Sequence, residues 1–142
     1  MRTVELTREN ILQILELYQD NFPDGWNEKM LRSAFDSNRF LCFGAVEGAL
    51  IGVITVSVGI DDADIEGVVT KKAFLRRGVA KLLVKTAIER LDKQNIKKVF
   101  LEVRESNIPA KSLYESEGFK PVSVRKKYYL DGENALVMVK EL

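Results

Sequence analysis

The sequence predicts an α+β fold: a mixed sheet with helices set among the strands, in the order ααβββαβαββ. Three observations lead there. Apolar residues at helical spacing alternate with short runs rich in β-branched and aromatic residues. Two pairs of those runs are consecutive, separated only by Glu47-Gly48-Ala49 and by Asp131-Gly132, both hairpin signals. Finally, 142 residues with no linker, repeat or low-complexity stretch suit one core, so a single domain over 1–142 is expected. Hairpins among interleaved helices make the sheet mixed, not doubly wound.

Each element has its own signal. Ile11, Ile14, Leu15 and Tyr18 mark a first helix, with Thr7 or Asn10 placed to cap its start and Pro23-Asp24-Gly25 to end it. Asn27 reads as the N-cap of a second short helix through Met30, Leu31, Ala34 and Phe35. Phe40 to Val46 and Leu50 to Val58 form the first hairpin. Asp61-Asp62-Ala63-Asp64 reads as a turn before a third strand from near Ile65 to Thr70. The longest helical pattern opens after Gly78, with Val79, Leu82, Leu83, Ala87, Ile88 and Leu91 on one face and Lys81, Lys85, Glu89, Asp92 and Lys93 elsewhere. Lys98 to Arg104 reads as a buried strand. Ile108 to Glu117 is a short helix stopped by Gly118 as a C′ glycine. Val122 to Leu130 and Asn134 to Val139 close the chain as a hairpin.

Composition removes several chemistries. With 46% hydrophobic and 30% charged residues the chain is globular in type, not disordered. Lys+Arg at 22 and Asp+Glu at 21 nearly cancel, which argues against a general nucleic-acid surface. The basic cluster Lys71, Lys72, Arg76, Arg77, Lys81 and Lys85 has few interleaved aromatics, so a base-stacking surface is poorly supported. No histidine is present, which excludes Ser-His-Asp and Cys-His catalysis and His-based zinc sites. The one cysteine, Cys42, lies in the apolar run Phe40-Leu41-Cys42-Phe43 and reads as a buried structural thiol. Asp62-Ala63-Asp64-Ile65-Glu66-Gly67 begins like a calcium loop, but its twelfth position is Ala73 where the bidentate Glu belongs, so no metal is expected. No start segment resembles a signal peptide, and no apolar run approaches the ~18 residues of a membrane span. A reduced, cytoplasmic protein with no membrane partner is the expectation.

Two segments carry chemistry. Arg76-Arg77-Gly78-Val79-Ala80 joins a strand to the longest helix, whose first N–H groups would point outward. Such an end binds phosphate through unpaired donors and the helix dipole, and Arg76, Arg77 and Lys81 add positive charge. Neither GxxxxGK[ST] nor GxGxxG occurs, so any pyrophosphate site is of another kind. A solvated basic helix start fits the same residues. In Val99-Phe100-Leu101-Glu102-Val103 a carboxylate interrupts an apolar strand. Glu102 would have a raised pKa unless paired, which suits a general base; pairing with Arg104 or a lysine is the plainer alternative. Ser106-Asn107 would cap the next helix and leave the Asn107 amide for ligand contacts. Tyr114 on that helix is a candidate general acid, or simply a partly buried tyrosine.

Together these residues resemble the GNAT acyltransferase superfamily. Val68-Val69-Thr70 through Arg76-Arg77-Gly78-Val79-Ala80 is similar to its acetyl-CoA motif, Q/R-x-x-G-x-G/A, with Leu75 where Gln or Arg is usual. Leu101-Glu102-Val103-Arg104, Ser106-Asn107, Ala110, Leu113-Tyr114-Glu115 and Gly118-Phe119 resemble the ribosomal-protein alanine N-acetyltransferase branch. Arg125, Tyr128-Tyr129 and Glu133-Asn134-Ala135 extend the likeness, with Asn134 where Asp is usual. So does Phe22-Pro23 with Trp26-Asn27-Glu28-Lys29, with Asp24-Gly25 inserted before the tryptophan.

The resemblance implies a GNAT-like central sheet, mostly antiparallel, of six to seven strands flanked by about four helices. It implies direct acetyl transfer from acetyl-CoA to a primary amine, with no covalent enzyme intermediate. The pyrophosphate would meet the backbone of Arg77, Gly78, Val79 and Ala80, with Arg76 and Lys81 nearby. The pantetheine arm would pair with Val68, Val69 and Thr70 and bond Asn107. Glu102 would be the base, with Glu66 as its rival, and Tyr114 the acid. Trp26, Arg125, Tyr128 and Tyr129 would shape the acceptor site. The expected acceptor is a protein or peptide N-terminal α-amine; a small-molecule amine (polyamine, amino acid or aminoglycoside) and a non-catalytic acyl-CoA binding domain are the alternatives. A monomer or homodimer is expected, with no nucleic acid.

Overall fold

Short apolar runs and capped helices assemble, in the computed structural model, into seven strands and four α-helices among the described residues, 1–21 and 25–142. The strands are β1 (Arg2–Glu5), β2 (Phe40–Glu47), β3 (Ala49–Val58), β4 (Asp62–Thr70), β5 (Lys98–Arg104), β6 (Lys120–Arg125) and β7 (Ala135–Glu141). The helices are α1 (Ile11–Asn21), α2 (Glu28–Asp36), α3 (Val79–Lys93) and α4 (Ile108–Ser116). One sheet runs β1-β2-β3-β4-β5-β7-β6, antiparallel at every pairing except the parallel β4–β5 pair. The expected mixed, mostly antiparallel sheet of six to seven strands with about four helices is what forms.

Local chemistry explains the helix ends. Thr7 Oγ1 accepts the Glu9 N–H at 3.3 Å and Asn10 Oδ1 accepts the Thr7 N–H at 3.0 Å, so both cap candidates act, on a 3₁₀ turn that leads into α1. Asn27 Oδ1 accepts the Met30 N–H at 2.8 Å, a cap of the kind that contributes about 1 kcal/mol. Phe22, Pro23 and Asp24, on which the expected stop to α1 and part of the inserted pair rest, lie outside the described residues. α4 ends where Gly118 follows it.

The helices form two layers. α3 packs on β2, β3 and β4 with Val79, Leu83, Val84, Ala87 and Leu91 buried. Leu82 and Ile88, expected on that face, are only partly buried, and Val84 takes the inner position instead. Burying leucines such as Leu83 and Leu91 contributes roughly 1.5–3 kcal/mol each. On the other sheet face, α1 covers β3 and β4 and α2 covers β2, around Ile11, Ile14, Leu31, Cys42 and Val53. Cys42 is buried there, as expected, and burial pushes its thiol pKa up. A Cβ on Gly52 would meet Val79 Cγ1 at 2.7 Å, so glycine lets the first residue of α3 press onto β3.

Four expectations need correction. The order ααβββαβαββ omits β1, a four-residue edge strand paired from Arg2↔Val46 to Glu5↔Phe43; pairing with a distant strand, not local pattern, makes it a strand. Asp62, Ala63 and Asp64 are strand, not turn: Ala63 is 0% exposed and the stretch is ladder-bonded on both sides, to β3 and β5. β5 is not buried throughout but alternates, with Val99, Leu101 and Val103 inward and Glu102 on the exposed face. The last hairpin is formed by β6 and β7, but residues 126–134 are a loop, because their side chains tie down to β5 instead of pairing as strand.

Candidate active site

Parallel pairing of β4 and β5 runs from Asp62↔Lys98 to Ile65↔Leu101 and stops, although β4 continues to Thr70 and β5 to Arg104. Beyond that point each strand keeps its outer neighbour. Val68, Val69 and Thr70 pair with Ile54, Val53 and Gly52, while Glu102, Val103 and Arg104 pair with Val137, Leu136 and Ala135. The inner edges face one another without a ladder. An extended ligand segment can bond to such an edge as an added strand does. A bulge opposite Thr55 and Val56, which pair with Gly67 and Ile65, leaves Glu66 without a partner in the β3 register.

The start of α3 closes one end of this opening. Gly78 caps the helix at φ 79° with no side-chain bond, in the left-handed region that disfavours any other residue. The first helical bond is Leu82 N–H to Gly78 C=O at 3.0 Å, so the N–H groups of Val79, Ala80 and Lys81 precede it and are unpaired by the helix. No atom lies within 4 Å of a Cβ placed on Gly78. Open space, free donors and the exposed Arg76 and Lys81 fit a pyrophosphate. Arg77 is used differently: its Nη2 stands 3.1 Å from Glu47 Oε2, and its guanidinium lies 5.0 Å from the Phe74 ring centroid. Its side chain braces the loop against the β2–β3 hairpin, which leaves only its backbone for the expected task. Leu75, at the position that departs from the motif, is 56% exposed.

Beside the opening, carboxylates and cations gather. Glu102 Oε1 is 3.3 Å from Arg125 Nε, and the Tyr128 hydroxyl donates to Glu102 Oε2 at 3.3 Å. Glu102 is therefore paired, but with Arg125 and not with Arg104. Burial raises the Glu66 pKa against the lowering effect of a Ser57 hydrogen bond, and the charges of Asp64 and Glu102 raise it further. Asp64 is likewise raised by burial, then by Glu102 and Asp62. Burial raises Tyr128 too, with the Glu102 charge adding to it. Arg125, Tyr128 and Tyr129 thus come together at Glu102, the two tyrosine rings edge to face at 5.1 Å.

Tyr114 approaches from the α3 side of the sheet, edge-on to Phe119 at 5.9 Å. Burial pushes its phenol up to about 12, with Tyr129 adding a smaller push. None of the described residues hydrogen-bonds its hydroxyl. Asn107 Oδ1 accepts the Ala110 N–H at 3.2 Å, which caps α4 and leaves the amide NH2 uncommitted among the described residues. No ring contact, hydrogen bond or cation–ring contact joins Trp26 to Arg125, Tyr128 or Tyr129 among the described residues. Trp26 packs edge-on to Phe40 at 5.6 Å and bonds the hydroxyl of Tyr18, which lies against Gly67 of β4.

One part of the constellation escaped the sequence reading. Arg104 Nη1 donates to Asp131 Oδ2 at 2.8 Å and Glu133 Oε1 at 3.0 Å, and its guanidinium lies 4.1 Å from the Tyr129 ring centroid. Hydrogen bonds from Ser106 and Arg104 hold Glu133 below the usual carboxylate range; a backbone bond from Glu133 and the Arg104 cation do the same for Asp131. Two signals could have found it: Glu102 and Arg104 are two apart on one strand face, and acids flank the Asp131-Gly132 turn. No group of three or more Cys, Asp or Glu side chains able to hold a metal occurs among the described residues, and no helix there is long and apolar enough to cross a membrane.

Comparison with known proteins agrees with this geometry. The acetyltransferase (GNAT) family pattern matches residues 11–119. The ribosomal protein bS18-alanine N-acetyltransferase of Escherichia coli (strain K12) is 32% identical over 121 residues, 82% of this chain and 80% of that protein. The crystal structure of the ribosomal-protein-S18-alanine N-acetyltransferase from Escherichia coli superposes with a TM-score of 0.90 at 28% identity, covering 99% of this chain and 92% of that one. Arabidopsis thaliana NAA60 in complex with acetyl-CoA shares the fold, with a TM-score of 0.90 at 17% identity and coverage of 99% and 98%.

Proposed function

The chain belongs to the acetyltransferase (GNAT) family and is an N-acetyltransferase, and from that premise we propose that it moves an acetyl group from acetyl-CoA to the N-terminal α-amine of a protein or peptide. The observation that carries this reading is the parallel β4–β5 pair that parts after Ile65↔Leu101, with the Gly78-led helix at its end and Glu102 beside it. The acceptor follows from relatives named for ribosomal-protein alanine, which do not favour a small-molecule amine or a non-catalytic domain. We infer one catalytic domain over 1–142, working in the cytoplasm as a monomer or homodimer, without a metal.

Each residue has a task. The N–H groups of Arg77, Gly78, Val79 and Ala80 would hold the pyrophosphate, with Arg76 and Lys81 supplying positive charge. The free edge of Val68, Val69 and Thr70 and the Asn107 amide would hold the pantetheine arm. When bound, acetyl-CoA supplies the acetyl group as a thioester. Glu102 takes the proton from the acceptor ammonium, directly or through water, and Glu66 is the rival for that role. Tyr114, still protonated at neutral pH, gives its proton to the departing sulfur. Arg125, Tyr128 and Tyr129, with the segment at Trp26, shape the acceptor site.

Calorimetric titration with acetyl-CoA tests the donor side. Saturable one-to-one binding in the micromolar range is expected; no binding at millimolar acetyl-CoA would remove the donor assignment.

A further inference from the structure

Residues 126–134 carry Tyr128 and Tyr129 to the acceptor side, yet they are not strand and have no ladder to fix them. Within the loop the Lys127 N–H bonds Asn134 Oδ1 at 2.9 Å, and the contacts that tie the loop to β5 are ionic. Arg104 reaches both Asp131 and Glu133, at 2.8 and 3.0 Å, and lies over the Tyr129 ring. The second oxygen of Glu133 accepts the Ser106 N–H at 2.8 Å, one residue before the Asn107 cap of α4. Asp131 Oδ1 accepts the Glu133 N–H at 3.0 Å, and the Tyr129 N–H bonds the Glu133 carbonyl at 3.2 Å, which closes the loop on itself. The Arg104 guanidinium therefore joins the end of β5 that carries Glu102 to the loop that carries Tyr128, and Glu133 extends the link to the turn that starts the helix of Tyr114.

We propose that Arg104 is a positioning residue for acceptor binding: through Asp131 and Glu133 it holds the Tyr128–Tyr129 loop over Glu102, without touching the donor. The proposal rests on the acetyl-transfer reading above. One nitrogen, Nη1, reaches both carboxylates while the planar guanidinium lies over the Tyr129 ring, and that ring contact is what a lysine ammonium does not reproduce. Arg104 is also two residues along the strand from Glu102, so the loop is indexed to the same strand face as the base.

Two measurements on Arg104→Met and Glu133→Gln decide it, with circular dichroism confirming that each variant folds. Steady-state kinetics with a peptide bearing a free N-terminal alanine should show acceptor KM raised about tenfold or more, with acetyl-CoA KM unchanged. Arg104→Lys should recover only part of the loss. A purely structural role would lower kcat with the active fraction and leave acceptor KM alone, and that result overturns the proposal. Tryptic cleavage after Lys126 and Lys127 should speed up in both variants while the rest of the chain stays intact. Unchanged cleavage rates also overturn it, since Arg104 would then not hold the loop. If wild-type protein transfers no acetyl group to peptides, the functional reading fails, and the cleavage rates still decide whether Arg104 holds the loop.

Discussion

Tyr128 donates its hydroxyl hydrogen to Glu102 at 3.3 Å, from a loop twenty-six residues further along the chain. Arg125 Nε stands at the same distance from the other Glu102 oxygen, so both oxygens are held. In the proposed reaction an incoming ammonium must compete with these two groups for the carboxylate. Such competition orders events: the acceptor displaces a neutral phenol more readily than a cation, which points the amine to the Tyr128 side.

Glu102→Gln keeps the shape and removes the proposed base. Turnover should fall by about 10²-fold or more while calorimetric acetyl-CoA affinity stays put. The remaining rate should climb with the acceptor's own α-amine, near about 7.7–8.0, and not from lower pH. A variant as fast as wild type moves the role to Glu66 or to no enzymatic base.

Tyr114→Phe isolates the proposed acid. Because burial holds the phenol proton up to about 12, it is present across the whole working range. The ratio of wild-type to variant kcat should therefore exceed unity and stay flat from about pH 6 to about pH 10, with acetyl-CoA KM little changed. An unchanged kcat removes the assignment.

Gly78→Glu tests the helix start. The protein itself offers a side chain space there, with no atom within 4 Å of its Cβ, but φ 79° costs a non-glycine residue roughly 1–2 kcal/mol. A carboxylate would also occupy the donor end of α3. Acetyl-CoA binding should weaken by about tenfold or more, the equivalent of roughly 1.4 kcal/mol. Unchanged affinity would sink the pyrophosphate placement.

Glu66→Gln should stabilise the fold at pH 7. Burial and the Asp64 and Glu102 charges raise the Glu66 pKa above its ordinary 4.5, so the folded state binds that proton more tightly than the unfolded chain does. Stability from this group is then present at acid pH and is lost as pH rises from the unfolded value through the folded one. The variant's higher melting temperature at pH 7 should disappear below about pH 4. A lower melting temperature at pH 7 would mean that the Ser57 hydrogen bond outweighs the repulsion.

Features set by local geometry were readable from the residues alone. Asn27 and Asn107 announce helix starts because a side-chain oxygen two or three residues upstream meets a free N–H whatever the rest of the chain does. Gly78 announces a backbone turn for the same kind of reason. Features set by distant partners were not. Thr3 and Val4 become strand because β2 offers an edge, and Asp62 to Asp64 become strand because Ala63 is walled in by β3 and β5. Residues 126–130 look like strand but are drawn into a loop by Arg104. Glu102 stands out in the sequence as a carboxylate in an apolar strand, yet its partner does not, since Arg104 is nearer in sequence while the ion pair forms with Arg125. The likeness to the acetyltransferase family supplies what spacing does not: the reading, proposed above, that these carboxylates and donors serve one reaction.

The most direct test incubates the protein with acetyl-CoA and a peptide that has a free N-terminal alanine and an internal lysine, and locates the acetyl group by fragmentation mass spectrometry. Acetylation at the N-terminal α-amine, abolished when that amine is blocked, is the expected result. Acetylation of the lysine alone, or of small amines but never of the peptide, would contradict the proposed acceptor.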